Sequence, residues 1–158
     1  MSPLAVLALA FGIGIVAGLR SMTAPAVVSW AAHLGWLDVS HTWLAFLGYR
    51  WTPYILSVLA AGELIADKLP TTPSRKQAGP FGARIVSGAL SGAAVAVGGG
   101  QAWALGAIAG AVGGIVGALG GYAARTGLVR ALKVPDFVIA LLEDLVAVGG
   151  GLFLVSRL

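Results

Sequence analysis

The chain has 158 residues, 58% of them hydrophobic and 10% charged, whereas roughly a quarter of the residues of an ordinary soluble domain carry charge. With a mean hydropathy of +0.93, that composition excludes a soluble globular protein. The excess of 10 Lys and Arg over 6 Asp and Glu reads as membrane topology, not nucleic-acid binding, because basic residues of membrane proteins collect in cytoplasmic loops.

A spanning helix needs about 20 apolar residues, so the chain has room for about six spans and no separate soluble domain. Apolar runs between turn and charge signals predict helices over 3–19, 22–36, 53–69, 82–99, 102–124 and 135–156. The first run reads as a helix and not a secretory signal, since no basic residue precedes it and Arg20 follows it. Between the first two runs, Arg20-Ser21-Met22-Thr23-Ala24-Pro25 is either a tight hairpin or a kinked break, because proline suits a first helical turn and breaks a helix interior.

The segment 37–52 has His33, His41, Trp36, Trp43, Tyr49, Trp51 and Tyr54 in or beside it. Such amphipathic rings favour the headgroup level, so it is expected along the outer interface. The opposite assignment goes to 70–81. With that segment in the cytoplasm, Arg20, Lys68, Arg75, Lys76, Arg84, Arg125, Arg130 and Lys133 lie on or near the inner side and only Arg50 and Arg157 outside. Both termini then face out of a bacterial inner membrane.

Two correspondences recur in the same order along the chain. Gly18-Leu19-Arg20 echoes Gly82-Ala83-Arg84, and Pro53 followed by Glu63 echoes Pro135 followed by Glu143 and Asp144. The expectation is an all-α transmembrane bundle forming one domain over 1–158. One three-helix repeat spans about 1–70, a cytoplasmic loop about 70–81, and a second repeat about 82–158. An odd number of spans per repeat forces the two into opposite orientation.

Gly106, Gly110, Gly113, Gly117 and Gly121 form one stripe of the fifth helix, and Gly88 and Gly92 begin a shorter one on the fourth. Stripes of small residues let helix backbones approach closely; the alternative is a glycine face lining a narrow path. No strand precedes Gly12-Ile13-Gly14, so a nucleotide-binding reading fails on context.

The carboxylates carry the functional reading. Glu63 is about ten residues into its helix, which places it roughly 15 Å deep, and Glu143 is about 12 Å from the inner end of the last one. Ionisable groups at such depth face the bundle interior or a water-filled path. Glu63, Asp67, Glu143 and Asp144 are therefore candidate ligands for a proton, an ion or a small solute, or else structural partners of Arg20, Arg84 and Arg125. Asp67 shares a helix face with Glu63 and is within reach of Lys68 or an arginine. Glu143 and Asp144 are adjacent and point about 100° apart, so they are not expected to serve one face equally. Arg20, Arg75, Arg84 and Arg125 also suit an anion or a lipid phosphate. His33 and His41 lack partners at metal-ligand spacing and are expected as interfacial hydrogen-bonding residues.

The stretches Gly18-Leu19-Arg20-Ser21-Met22-Thr23-Ala24-Pro25, Glu63 with Asp67-Lys68-Leu69-Pro70 and Pro73-Ser74-Arg75, Gly82-Ala83-Arg84, and Glu143-Asp144 resemble the bacterial membrane proteins grouped as domain of unknown function 4126. The resemblance covers nearly the whole chain and implies an integral membrane protein without assigning an activity. With neither nucleophile elbow nor zinc signature, an enzyme acting on lipid has the least support. The expected function is a transporter or channel for a small solute or ion, with no cofactor, metal or nucleic acid. The alternative is a non-transporting module that binds lipid or a partner protein. Anionic lipid headgroups and a second copy of the chain are the expected partners.

Overall fold

The computed structural model describes residues 1–69 and 77–158. Six α-helices follow one another: α1 (Pro3–Leu19), α2 (Thr23–His33), α3 (Thr52–Ala66), α4 (Ala78–Gly98), α5 (Trp103–Leu132) and α6 (Asp136–Val155), with a 3-10 turn at Trp43–Gly48 between α2 and α3. No strand occurs among the described residues. Of the sequence-predicted sites, Arg75 lies outside the described residues, as does Lys76.

Local chemistry sets the helix ends. Ser2 caps α1 by accepting from the Ala5 amide, with Pro3 in the first turn, where a missing N–H costs nothing. α1 stops at Arg20, whose backbone turns extended. α2 was expected to reach 36 but ends at His33, because Gly35 adopts φ +80° and the Trp36 and Gly35 amides fold back onto the Ala31 and Ala32 carbonyls. Gly100, φ +75°, ends α4 in the same way.

Helix directions follow from which residues meet. Gly14 of α1 lies against Gly110 of α5, and Gly18 against Gly114 and Ala118, so these helices run parallel. Gly88 of α4 faces Gly110 and Gly92 faces Gly106, so α4 runs against both. Trp30 bonds to Ser57 while Glu63 reaches Ser21, which makes α2 and α3 antiparallel. Gly12 faces Leu154 and Arg20 meets Asp144, so α6 opposes α1. Leu37, just beyond α2, meets Gly98, and Val6 meets Gly99. α1 and α2 are therefore a hairpin, which resolves the Arg20–Pro25 alternative against a kink.

The core is a glycine-mediated contact of α1, α4 and α5. A Cβ on Gly18 would fall 2.5 Å from both the Ala118 nitrogen and the Gly114 oxygen, and one on Gly110 would overlap the Gly88 carbonyl. Gly88, Gly92, Gly106, Gly110, Gly113 and Gly117 all stand where a neighbouring backbone leaves no room for a side chain. Close backbone packing accounts for the stripe. Gly121, at the stripe's far end, is only partly buried.

Outward faces are apolar. Val58 on α3, Ile108 on α5 and Leu145 on α6 are each more than 60% exposed, a surface that lipid, and not water, accommodates. α4, α5 and α6 are long and apolar enough to cross a membrane, whereas α1 and α3 are shorter apolar helices. α2 has 11 residues, about 16 Å of helix. Segment 37–52 does not lie loosely over the surface: Leu37, Val39, Leu44 and Leu47 are buried, and the Ser29 hydroxyl donates to the Leu47 carbonyl.

Candidate functional site

The α1–α2 turn, residues 20–22, is recessed inside the bundle. Arg20 meets Asp144, eight residues into α6; Gly18 meets Arg84, six residues into α4, and Ala118, fourteen residues before the end of α5. At 1.5 Å per residue those helices extend about 9 to 21 Å past the turn. Backbone groups at a helix end need partners, and at this depth side chains must supply them.

They do so with ionisable groups. Glu63 Oε1 accepts from the Ser21 amide at 2.7 Å and its hydroxyl at 2.8 Å, and Oε2 accepts from the Met22 amide at 2.7 Å. A carboxylate there satisfies the amides of the turn that leads into α2 and complements the helix dipole. Pro25, in the first turn, has no amide to satisfy. At the end of α1, Arg84 Nε donates to the Gly18 carbonyl at 3.0 Å and Arg20 Nη1 to the Leu19 carbonyl at 3.0 Å. The Ser87 hydroxyl donates to the Ser21 carbonyl.

Arg20 is fully buried and is the hub of the cluster. Its Nη1 lies 2.9 Å from Asp67 Oδ2 and 3.5 Å from Glu143 Oε1, while Nε and Nη2 are each 2.6 Å from Asp144 Oδ1. Lys68 takes the other oxygen of Asp144. Arg84 Nη2 stands 3.8 Å from Asp67 Oδ2 and 3.9 Å from Glu63 Oε1. Arg125 Nη1 is 3.6 Å from Glu143 Oε2, and its Nε and Nη2 form a fork on Asp136 at 3.0 and 2.6 Å.

All four candidate carboxylates and three of the four candidate arginines thus converge, although they come from five separate stretches of chain. Glu63 is eleven residues past the start of α3, which puts it in the last turn, because α3 stops level with the recessed turn. Glu143 and Asp144 both face Arg20 but unequally, at 3.5 and 2.6 Å, since the several donors of Arg20 span the angle between neighbouring side chains. Asp67 holds the central place between two guanidinium groups, and of its two expected kinds of partner the arginines are the ones it meets, while Lys68 binds Asp144.

Sequence reasoning missed Asp136 and the amides of Ser21 and Met22. An acid directly after Pro135, at a helix start, was a usable signal for the first; nothing along the chain pointed to the amides. At the opposite end, the His33 ring Nδ1 lies 3.3 Å from the Gly48 carbonyl and edge-on to Trp30. Asp38, in the loop outside the spans, is held below the usual carboxylate range by the Ser40 hydroxyl and amide. Among the described residues, no three or more His, Cys, Asp or Glu side chains are placed so that they could hold a metal ion together.

A family model described as Domain of unknown function (DUF4126) matches residues 7–156. No curated protein and no solved structure matches the chain.

Proposed function

With the chain belonging to the DUF4126 family, a membrane protein by its apolar helices, we propose that it transports a small solute or ion and that the charge cluster at the α1–α2 turn is its site. One observation carries this reading: irregular backbone sits deep among the helices, and its partners are ionisable side chains from α3 and α4. Interrupted helices with charged groups at their ends are how many transporters build a site inside the bilayer. Opposite charges are matched there, so a charged solute would enter by exchanging with an internal partner.

In this reading the six helices alternate in direction through the bilayer, as an inverted repeat requires, with the α1–α2 turn and the end of α3 stopping inside it. Arg20 and Arg84, the repeat-related arginines, both flank Asp67. The end carrying Lys68, Arg130 and Lys133 faces the cytoplasm of a bacterial inner membrane, where anionic headgroups complement it, and both termini face out. A homodimer would enlarge so thin a bundle.

Flux over a panel of ions and small metabolites in proteoliposomes tests the site. Glu63→Gln and Glu143→Gln are expected to slow flux of the accepted species at least about tenfold, roughly 1.4 kcal/mol in barrier. Unchanged flux removes these carboxylates from the mechanism. The alternative, a non-transporting module, is favoured by the pairing of each carboxylate with a cation. It predicts instead that the same changes lower the melting temperature and that no panel member crosses.

A further inference from the structure

We propose that α3 is the moving element of the bundle and that Glu63, Asp67 and Lys68 are the ionic latch that closes it. The proposal rests on the transport reading for its purpose, since opening α3 would uncover the charge cluster, but the movement itself is a property of the fold.

The observation behind it is an imbalance between apolar and ionic attachment. Of the 15 residues of α3, Pro53 and Ala60 are the buried ones, whereas α1 buries seven of 17. Val58 and Ile65 are 72% and 67% exposed, and Gly62 has open space where a side chain would be. α3 packs chiefly on α2 and the 3-10 turn, with a Trp30–Ser57 hydrogen bond of 2.8 Å and Trp30 edge-on to Tyr54. These contacts lie toward its starting end, nearest the Tyr49–Trp51 turn that attaches it.

The far end is held by charge. Glu63 binds the Ser21 and Met22 amides and faces Arg84; Asp67 faces Arg20 and Arg84; Lys68 binds Asp144 and the Leu64 carbonyl. Residues 63–68, the last turn of α3 and the residues just beyond it, thereby reach the α1–α2 turn, α4 and α6. In lipid, apolar surface alone gives helices little reason to associate. A helix with few buried contacts and a strong ionic end should therefore detach at that end once the charges are neutralised. The tightly packed α1, α4 and α5 have no comparable freedom, because glycine contacts hold their backbones together.

The chain has no cysteine, so introduced thiols report cleanly. Spin labels on Val58→Cys in α3 and Ile108→Cys in α5 measure the α3 position in proteoliposomes by pulsed electron paramagnetic resonance. Val86→Cys with Ile108→Cys measures the α4–α5 core as the reference pair. All three sites are well exposed. In Glu63→Gln/Asp67→Asn, the Val58–Ile108 distribution should gain a population longer by about 5 Å or more, one helical turn, while the reference pair stays unchanged. If the double variant does not reconstitute, Asp67→Asn alone is read in the same way. An unchanged α3 distance overturns the proposal, and so does an equal change in both pairs, which would mean that the charges hold the whole bundle. Loss of flux without movement rejects the latch and leaves the transport site standing; movement in a protein that transports nothing does the reverse.

Discussion

Arg20 has the largest effect expected of any single residue. Fully buried, it is within 3.5 Å of carboxylates from α3 and α6. Removing one partner of a buried ion pair leaves uncompensated charge and costs about 3–5 kcal/mol. Arg20→Gln is therefore expected to lower the melting temperature in detergent sharply or to prevent folding, whereas Arg157→Gln should change it little, because Arg157 is exposed and only stacks on Phe153. A melting curve for Arg20→Gln that matches the parent's would contradict the hub assignment. Lys133 presents a different residue-level effect. It ends α5 in the left-handed region, φ 53°, a conformation that glycine adopts without the Cβ clash. Lys133→Gly should stabilise by up to about 1 kcal/mol, read as a higher melting temperature.

At the scale of elements, the glycine contacts divide substitutions sharply. Gly110→Ala drives a methyl into the Gly88 carbonyl, between backbones that have no slack. A loss of about 1–3 kcal/mol is expected from such overpacking. Gly127, also on α5, faces open space, so Gly127→Ala should gain about 0.5–1 kcal/mol from helix propensity. Thermal melts of the two variants in one detergent compare these directions, and a loss in both would show that α5 is packed along its whole length. The helices themselves were largely legible. α1 appears where expected, because an apolar run bounded by Ser2-Pro3 and Arg20 leaves few alternatives. α5 continues eight residues past the expected 124, to Leu132. Arg125, a charge that reads as the end of a span, finds Asp136 and Glu143 as partners, and the helix runs on. α4 begins at Ala78, earlier than expected, because Pro80 and Gly82 are tolerated in its first turns.

At the scale of the whole molecule, the site was legible in its membership and not in its pairing. So few charges occur in the chain that those inside apolar runs could be picked out by position alone. Which acid meets which base is set by packing between segments as far apart as residues 20 and 144, and a helix ending short of its neighbours leaves no mark in local sequence. Position along a helix does not reveal where the helix stops: Glu63 is about ten residues in, as expected, yet in the last turn, because α3 ends level with the recessed turn. Orientation belongs to this scale as well. A cysteine at Arg130 should react with membrane-impermeant maleimide only from the cytoplasmic side, and one at Arg50 only from the outside; the reverse pattern would invert the topology.

The recessed cluster as a transport site is tested most directly at Asp67, which stands between Arg20 and Arg84. The measurement is flux of an accepted solute through proteoliposomes that contain equal amounts of folded parent and Asp67→Asn protein. A loss of at least about tenfold, roughly 1.4 kcal/mol, is expected from a variant that remains folded and membrane-inserted. Flux equal to the parent's would contradict it, leaving the buried charges as fasteners of the helices and placing the path elsewhere.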